Sequence, residues 1–388
     1  MNNNDFLRVP AVSDDLITVT RPSLPDLEKL QPLLEGIWKS GRLTNGGPLH
    51  ETLEAGLCEY LGVEHLSLFT NGTIALVTAL QAMRVTGEVI TTPYTFAATP
   101  HALLWNKLKP VFVDIEPDSF NLDASKIEAA ITPETTAILP VHCYGTPANI
   151  DEIQRIADLY GLHVIYDAAH AFAVRYRGRS LLEAGDISVL SFHATKVFNT
   201  FEGGALILKD KKTKQRVDYL KNFGFANETT VVAPGINGKM NEFQAALGLL
   251  QLEKIDSDIR ARQSVYRKYR EELMGIEGLQ LMEEPVDTEW NYSYCPVLVN
   301  ERFPLSRDDL YSEFRKQGIL VRRYFYPLVS DFPMYFDPSA VFENAADTAQ
   351  RILCLPIYSD LNDEDFGRIM SCLREAANGH HGASGSGQ

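Results

Sequence analysis

The strongest constraint on the fold is the regular alternation of short apolar runs with helical patterns between residues 45 and 210. The strand-like run HLSLFT leads into NGTIALVTALQAMR, which has helical spacing, and EVITTPYTF leads in the same way into AATPHALLWNK. Further strand-like runs follow as KPVFVDI, TAILPVHCYG and LHVIYDAAHAF. Alternating strands and helices predict an α/β protein with a mainly parallel sheet and helices on both faces. Ligands of such sheets bind beyond the carboxyl ends of the strands.

The pattern changes after this unit and predicts a second, smaller domain. A long, charge-rich helical pattern over about residues 241 to 275 leads away from the first unit. Beyond it, YSYCPVLV and ILVRRYFYP are strand-like, while SRDDLYSEFRKQG and about residues 362 to 377 are helical. At 388 residues the chain is too long for one small core. We therefore predict a large domain at 1–250, a small α+β domain at 251–378 and a disordered tail at 379–388.

The composition argues against several classes of protein. The formal net charge of −15 at pH 7 argues against nonspecific nucleic-acid binding, which depends on clustered lysine and arginine. No stretch has the length of an apolar membrane span, and the N-terminus lacks the basic and apolar segments of a secretory signal. The five scattered cysteines form no CxxC pair, so we expect neither a metal site nor a disulfide framework. We expect a cytoplasmic protein without nucleic-acid or membrane partners.

Two reactive side chains stand at the ends of strand-like runs. Asp167 ends LHVIYD, and Lys196 follows SVLSFHAT in a short polar loop. Taken singly, an acid at this place also caps a helix, and a lysine is usually a solvated surface residue. One chemistry needs both, because pyridoxal 5′-phosphate (PLP) bonds covalently to a lysine amine while a carboxylate keeps its ring nitrogen protonated. The lysine then acts as the base that moves the substrate proton.

A phosphate site for such a cofactor is predicted in TNGTIAL, where a strand, a tight turn at Gly72 and a helix from Thr73 follow one another. Free backbone N–H groups and the helix dipole favour an anion there, although a plain strand-to-helix turn has the same pattern. Ser191 is polar in an apolar strand and is a candidate to add a hydroxyl group. Phe96 and His170 are candidates to stack on the ring and to contact its hydroxyl, or are ordinary core residues.

Together these motifs resemble the DegT/DnrJ/StrS family of sugar-nucleotide aminotransferases, which are PLP enzymes of fold type I (aspartate aminotransferase-like). The resemblance covers nearly the whole chain, from ITVTRPSLP to the final helix. Its specific pieces are RLTNGGPLHETLE, NGTIAL, EVITTPYTFAAT, PVFVDI, PVHCYG, YDAAHAF, SFHATKVFNTFEGGA and GINGKMNEFQAA. The resemblance implies a large PLP-binding domain with a mainly parallel sheet and a smaller C-terminal α+β domain.

The family's cofactor roles carry over onto matching residues. Lys196 resembles the lysine that forms the Schiff base, and Asp167 resembles the partner of the pyridine nitrogen. Phe96 occupies the position that stacks on the ring, and His170 the position that usually contacts the ring hydroxyl. Lys196 also argues against the family's sugar dehydratases, in which a histidine replaces the lysine. A non-catalytic PLP-binding regulator is the alternative from another class, and the intact Lys196, Asp167 and His170 argue against it.

The family's phosphate ligands have counterparts as well. Gly72, Thr73 and Ser191 align with residues that bind the cofactor phosphate. Asn237, in GINGKMN, aligns with an asparagine that reaches the phosphate of the neighbouring subunit. Without the resemblance, its position beside glycines would be typical of a turn residue. The alignment therefore implies a homodimer with shared active sites.

The resemblance also implies a substrate. It predicts amino transfer from L-glutamate to a nucleotide-linked keto sugar in two stages, with ping-pong kinetics. Relatives that read SFH before the lysine tend to aminate C4, and those that read SFYPGK tend to act at C3, so His193 indicates a 4-keto sugar. The predicted substrate is dTDP-4-dehydro-6-deoxy-D-glucose, and the product is a deoxyamino sugar of the kind found in O-antigens or lipopolysaccharides. The same chemistry on a GDP- or UDP-linked keto sugar, or at C3, is the alternative.

Arg322 and Tyr324, in VRRYFYP, are candidates to meet the nucleotide diphosphate or base of such a substrate. Arginine suits phosphate because its donors bind in pairs, although a solvated strand edge has the same composition.

The loop after the lysine departs from the family at one position. The family often reads Gly-Glu-Gly-Gly, whereas Phe201 precedes Glu202 here, and we expect altered packing near the sugar with little effect on the cofactor chemistry. Gly203 and Gly204 are interpreted as residues that let the chain turn back tightly beside Lys196.

Overall fold

The computed structural model describes residues 15–379, so residues 380–388 of the predicted disordered tail lie outside the described part. Eleven α-helices lie within residues 15–379. They are α1 (Leu27–Ser40), α2 (Pro48–Leu61), α3 (Gly72–Ala82), α4 (Ala98–Trp105), α5 (Ile127–Ala130), α6 (Ile150–Tyr160), α7 (Lys211–Leu220), α8 (Glu242–Leu273), α9 (Arg307–Lys316), α10 (Glu343–Arg351) and α11 (Asp363–Ala377).

A seven-stranded sheet forms the centre of the fold. Its strands, in chain order, are β1 (His65–Phe69), β2 (Glu88–Thr91), β3 (Lys109–Phe112), β4 (Thr135–Leu139), β5 (His163–Asp167), β6 (Ile187–Ser191) and β7 (Gly204–Leu208). Their order across the sheet is β1-β7-β6-β5-β4-β2-β3. β7 is antiparallel to both of its neighbours, and the other adjacent pairs are parallel. The prediction of a mainly parallel sheet is confirmed.

Helices cover both faces of this sheet. Leu76 and Leu80 of α3 pack in one apolar cluster with Ile165 of β5. Val164, the preceding residue of β5, belongs to a second cluster together with Ile153 of α6. Neighbouring side chains of a strand point to opposite faces, so a strand that is covered on both sides needs apolar residues at successive positions. This burial explains the uninterrupted apolar runs in the sequence.

The long helical pattern corresponds to α8, which begins after a capping box between Asn241 and Gln244. An antiparallel sheet follows, with β8 (Leu279–Leu281), β9 (Cys295–Val299) and β10 (Ile352–Leu355) in that order. Helix α9 contacts both β10 and α11. The predicted boundary at residue 250 falls within α8, which is continuous there, and the division into two domains stays a prediction.

Short strands complete the structure of residues 15–379. Each has two or three residues: Ile17–Thr18 pairs with Ile319–Leu320, Phe225–Asn227 pairs with Thr230–Val231, and Arg175–Tyr176 lies between Arg179–Ser180 and Thr288–Glu289.

Two runs with strand-like sequences are mostly loop. EVITTPYTF forms a strand only as far as Thr91, and ILVRRYFYP does so only at Ile319–Leu320. In the second run, backbone pairing continues only as a bridge between Arg322 and Cys354 of β10, and the hydroxyl groups of Tyr94 and Tyr144 donate to the carbonyl oxygen of Tyr324. Continuous strands were the wrong prediction here, since apolar and aromatic composition alone does not distinguish a buried loop from a strand.

Candidate active site

The carboxyl edge of the main sheet brings the predicted residues together. The neighbouring parallel strands β5 and β6 end at Asp167 and Ser191. β7 runs the opposite way, so its first residue, Gly204, pairs with Ser191 on one side and with Phe69 on the other. The loop that carries Lys196 therefore lies between the end of β6 and the start of β7. Ligands of α/β sheets bind at this edge.

Lys196 projects from a loop that is held by backbone hydrogen bonds. Its N–H group donates to the carbonyl of His193 at 2.8 Å, and Thr200 N–H donates to the carbonyl of Phe192 at 2.9 Å. Burial of the amino group among protein atoms lowers the pKa of Lys196 to about 8, and the negative charge of Asp167 partly offsets this effect. Lys196 is half-buried at the edge of the sheet.

Asp167 is 8% exposed and its carboxylate is held from two sides. Thr99 Oγ1 in α4 donates to Oδ2 at 2.7 Å, and the N–H group of Ala169 donates to Oδ1 at 3.1 Å. A carboxylate has room for about four hydrogen bonds, so further acceptor capacity remains for a ligand. The two donors fix the direction in which the carboxylate accepts.

His170 is a neutral hydrogen-bond donor. Its Nδ1 accepts from the N–H group of Tyr144 at 3.1 Å, which leaves the hydrogen of the neutral ring on Nε2. Burial, and to a lesser degree the charge of Lys196, hold the pKa of His170 well below its ordinary value. The ring therefore stays uncharged at neutral pH and presents one N–H donor.

The turn from β1 to α3 has the form of an anion cradle. Asn71 caps α3 by accepting from the N–H group of Ile74 at 2.9 Å, and the helix begins at Gly72, one residue before the predicted start. The first N–H groups of a helix have no partner inside the helix, and those of Gly72 and Thr73 belong to this set. A Cβ atom on Gly72 would lie 3.0 Å from Cβ of Ser191. The glycine thus allows the turn to approach the hydroxyl-bearing end of β6.

Phe96 and Asn237, two further predicted cofactor residues, lie at the surface. Phe96 is 58% exposed just before α4, so it is not a core aromatic. Asn237 is exposed, and its Oδ1 accepts from Nζ of Lys239 at 2.8 Å. A backbone bridge to Asn222 holds the Asn237 segment in place.

The predicted sugar residue His193 is held in one orientation. Its Nδ1 accepts from the N–H group of Thr195 at 3.2 Å, and its Nε2 lies 3.6 Å from Oε1 of Glu202. The side chains of His193 and Glu202, on either side of Lys196 in the loop, are both exposed.

Arg322 and Tyr324 reach the site through an aromatic residue that sequence reasoning missed. The guanidinium carbon of Arg322 lies 5.9 Å from the centre of the Tyr324 ring. The Tyr324 ring in turn contacts Tyr294 at 5.6 Å between centroids, and Nζ of Lys196 lies 5.9 Å from the Tyr294 centroid. Thr99 and Tyr144 lie within EVITTPYTFAAT and PVHCYG, two motifs shared with the family, but were not singled out, and Tyr294 lies in an apolar segment outside those motifs.

Gly203 and Gly204 are needed for close approach, and the prediction of a tight backbone turn gave the wrong reason for them. Neither has a φ value in the left-handed region. A Cβ atom on Gly203 would lie 2.0 Å from Oγ1 of Thr200. On Gly204 it would lie 2.7 Å from the backbone N of Gly72 and 2.8 Å from the carbonyl carbon of Asn71. The left-handed residue of this loop is Phe201, with φ of 64°, at the position where the family often has glycine.

The Gly204→Ala variant is expected to lower the free energy of unfolding by about 1–3 kcal/mol, because its methyl group must displace backbone of the anion cradle. Urea unfolding of the purified variant measures this. Gly275 is the matched control, since a Cβ atom there meets nothing within 4 Å, and alanine at that site should change stability by less than about 0.5 kcal/mol. Equal stability of Gly204→Ala and the parent would contradict the prediction, because it would show that the cradle accommodates a methyl group.

Within residues 15–379 the structure shows neither a membrane-spanning helix nor a cluster of metal-ligating side chains. No helix in this range combines the length and the apolar character that crossing a membrane requires. Among the same residues, no group of three or more His, Cys, Asp or Glu side chains is arranged to hold a metal ion.

The chain is similar to named aminotransferases along most of its length. It is 54% identical over 367 residues to a dTDP-4-amino-4,6-dideoxy-D-glucose transaminase of Escherichia coli, covering 93% of this chain and 99% of the relative. A Shigella dysenteriae protein of the same name is 52% identical over 361 residues, covering 92% and 98%. GDP-perosamine synthase of Caulobacter vibrioides is 33% identical over 329 residues, covering 82% and 88%.

The structure of this chain is also similar to solved structures of aminotransferases. DesI, in the presence of its TDP-sugar product, superposes with a TM-score of 0.90 at 37% identity and 95% coverage of each chain. Helicobacter pylori PseC superposes with a TM-score of 0.87 at 26% identity, covering 94% of this chain and all of PseC. These matches confirm fold type I, the fold of PLP-dependent sugar aminotransferases. Residues 26–374 match the DegT/DnrJ/EryC1/StrS aminotransferase family, and the chain belongs to that family.

Proposed function

We propose that this protein moves the amino group of L-glutamate to C4 of dTDP-4-dehydro-6-deoxy-D-glucose, with PLP as cofactor, giving dTDP-4-amino-4,6-dideoxy-D-glucose. The observation that carries the proposal is that Asp167, at the end of β5, and His170 and Lys196, in the loops that follow β5 and β6, lie together at the carboxyl edge of the sheet, where the charge of Asp167 acts on Lys196 and that of Lys196 acts on His170. Two relatives that share more than half of their residues with this chain bear the name of that product's transaminase. The similarity to DesI with its TDP-sugar product supports a TDP-linked substrate.

The chemistry of the residues at the sheet edge fits PLP. When bound, PLP supplies an aldehyde that bonds covalently to a lysine amine and a ring that withdraws electrons from the reacting carbon. Lys196 would hold the aldehyde end, Asp167 would accept from the ring nitrogen, and Nε2 of His170 would donate to the ring hydroxyl. The phosphate would occupy the cradle, where a Cβ atom on Gly72 would meet Ser191. Thr73, at the start of α3, would add a donor.

Lys196 is also suited to move protons. With a pKa of about 8, its amine exists in both the neutral and the charged form near neutral pH. The neutral amine accepts a proton from the α-carbon of glutamate, and the charged form donates one to C4 of the sugar. Asp167, held by Thr99 and the Ala169 N–H group, keeps its negative charge directed at one point during both transfers.

Recognition of the sugar nucleotide is assigned to three residues. His193 is proposed to face the sugar, held by Thr195 and Glu202 at the mouth of the lysine loop. Arg322 and Tyr324 are proposed to meet the diphosphate or base, and their link to Lys196 through Tyr294 supports this. A GDP-linked sugar is the second candidate, because GDP-perosamine synthase is also similar to this chain at 33% identity.

A homodimer with shared active sites is part of the proposal. Asn237 is exposed, and Lys239 occupies its Oδ1, so its Nδ2 group is available to donate to a phosphate of the neighbouring subunit. The same surface segment exposes large apolar side chains, as an interface would. They are Phe223, Phe225, Val231, Val232 and Ile236.

The rate at which PLP attaches to the PLP-free protein is expected to rise with pH and to level off above about pH 8. The neutral amine of Lys196 is the reacting form, and burial lowers its pKa to about 8. An unperturbed lysine would continue to gain rate up to about pH 10.4. The growth of cofactor absorbance after mixing, followed between pH 6 and about pH 10.5, measures this. A rate that still climbs steeply at about pH 10 would contradict the burial of the amine.

The proposed reaction is tested by absorbance of the purified protein. We expect a band near about 420 nm that excess L-glutamate converts to one near about 330 nm, and that dTDP-4-dehydro-6-deoxy-D-glucose restores. The GDP- and UDP-linked 4-keto sugars serve as comparison substrates, and product analysis distinguishes amination at C4 from amination at C3. A protein that takes up PLP but never releases 2-oxoglutarate with any sugar would point to a non-catalytic regulator. Absence of the first band with PLP supplied would refute the role of Lys196.

A further inference from the structure

Tyr294 lies at the meeting point of the proposed site residues. It immediately precedes β9 and is 3% exposed. Nζ of Lys196 lies 5.9 Å from its ring centroid, within the range in which an ammonium group is attracted to an aromatic face. The ring centroids of His170 and Tyr324 lie 4.8 Å and 5.6 Å from that of Tyr294. One buried ring therefore contacts the lysine and two further residues of the site.

The Tyr294 ring is fixed by its neighbours. The Tyr324 ring meets it at an interplanar angle of 88°, and the His170 ring at 57°. The Tyr324 contact is edge-to-face, an arrangement that is favourable because the positive ring edge meets the negative ring face, and the His170 ring is tilted against Tyr294. His170 is itself held by the Tyr144 N–H group, so the support continues into the chain around the main sheet.

Burial and the charge of Asp167 act on the ammonium form of Lys196 in opposite directions. Burial raises the pKa of Tyr294 well above its ordinary value, so the ring remains a neutral phenol. Asp167 is the charged group that raises the pKa of Lys196, and burial acts in the opposite direction. The other titratable groups that act on Tyr294 are Tyr324, Cys354, Arg262 and Cys143. Of these, Arg262 carries a charge, and its Nη1 donates to the carbonyl of Ile357.

We propose that Tyr294 is a positioning residue for Lys196: the face of its ring attracts the charged form of the lysine and holds the amino group in place beside the cofactor site. The proposal deepens the proposed function and rests on it for the identity of the cofactor. A space-filling role is the competing explanation. The two explanations predict opposite changes in the pKa of Lys196 when the ring is removed. If the ring attracts the ammonium group, its removal lowers the pKa of Lys196. If the ring only excludes water, its removal admits water and raises that pKa.

The test measures the reactivity of Lys196 toward acetic anhydride as a function of pH, in the full-length protein freed of PLP, by mass spectrometry of the Lys196 peptide. The pH at which Lys196 reaches half of its maximal reactivity is the midpoint of this curve. In Tyr294→Leu we expect this midpoint to fall by about 0.5 to 1 pH unit relative to the parent. In Tyr294→Phe, which keeps the aromatic face, we expect the midpoint to stay within about 0.3 unit. The readout needs neither PLP nor sugar, so failure of the proposed function does not affect it.

Tyr269→Leu is the matched control. Tyr269 is also a buried tyrosine, but its hydroxyl donates to the carbonyl of Pro356. We expect it to leave the Lys196 midpoint unchanged even if it lowers stability by a similar amount. A midpoint that stays or rises in Tyr294→Leu would overturn the proposal. A fall of equal size in Tyr294→Phe or in Tyr269→Leu would overturn it as well, because the aromatic face would then not be the cause.

Discussion

The Lys196→Ala variant is expected to lose amino transfer, with kcat lower by on the order of 10⁴-fold or more. The substitution removes both the amine that would bond to the cofactor and the base that moves the proton. The absorbance band near about 420 nm should be absent even with PLP in excess. Steady-state kinetics with L-glutamate and the dTDP-linked keto sugar, together with the spectrum, measure the effect.

The fold of Lys196→Ala should survive, because a buried ammonium group does not stabilise a protein interior. We expect its urea midpoint to be no lower than that of the parent. Lys209→Ala is the control, since Lys209 is an exposed lysine beyond the end of β7 that pairs with Asp186. That variant should keep the spectrum and the activity. Activity retained in Lys196→Ala would remove the basis of the proposed mechanism.

The Asp167→Asn variant is expected to lower kcat by about 10³-fold while PLP still binds. Asparagine has nearly the same shape and still accepts from Thr99, but it carries no negative charge to keep a ring nitrogen protonated. Single-turnover spectra with L-glutamate measure the conversion of the bound cofactor. The free energy of unfolding of the variant, measured in urea, should stay within about 1 kcal/mol of the parent, so that the loss is chemical and not structural.

Thr99→Val provides the graded comparison for this result. It removes the hydrogen bond of 2.7 Å that directs Oδ2 and leaves the carboxylate charge in place. We expect a loss of about 10-fold, well below that of Asp167→Asn, because the Ala169 N–H group still holds the carboxylate. A loss of kcat in Thr99→Val as large as that in Asp167→Asn would mean that the orientation of the Asp167 carboxylate matters as much as its negative charge.

Much of the fold was predictable because its signals are local. The apolar runs of β1 and β4 to β6 and the cap residues Asn149 and Ser306 lie within a few positions of the elements they define. Both caps accept from the N–H group three residues on, within the same short stretch of sequence. The prediction of a continuous strand at ILVRRYFYP was wrong, because its backbone pairs with Cys354 and accepts from the hydroxyl groups of Tyr94 and Tyr144, all distant in the chain.

The candidate site was predictable where residues end strands or open helices. Asp167, Ser191 and Gly72 stand at such points, and the structure brings all three to one edge of the sheet. Their roles toward the cofactor stay predictions until the cofactor is measured. Thr99, which donates to Asp167, lies in a motif shared with the family but was not singled out as a partner. Tyr294, whose ring lies beside Lys196, precedes an apolar strand, and its neighbouring residues do not separate it from an ordinary core position.

The sequence by itself determined the fold class and the family and predicted the pair of Asp167 and Lys196, because strand ends, caps and motifs are formed by adjacent residues. Only the tertiary structure decided what surrounds that pair. The antiparallel course of β7 returns Gly204 to the cradle, and β9 brings Tyr294 over Lys196. The lysine pKa of about 8 follows from this packing. Desolvation depends on atoms that are distant in the chain and close in space, and no local pattern records them.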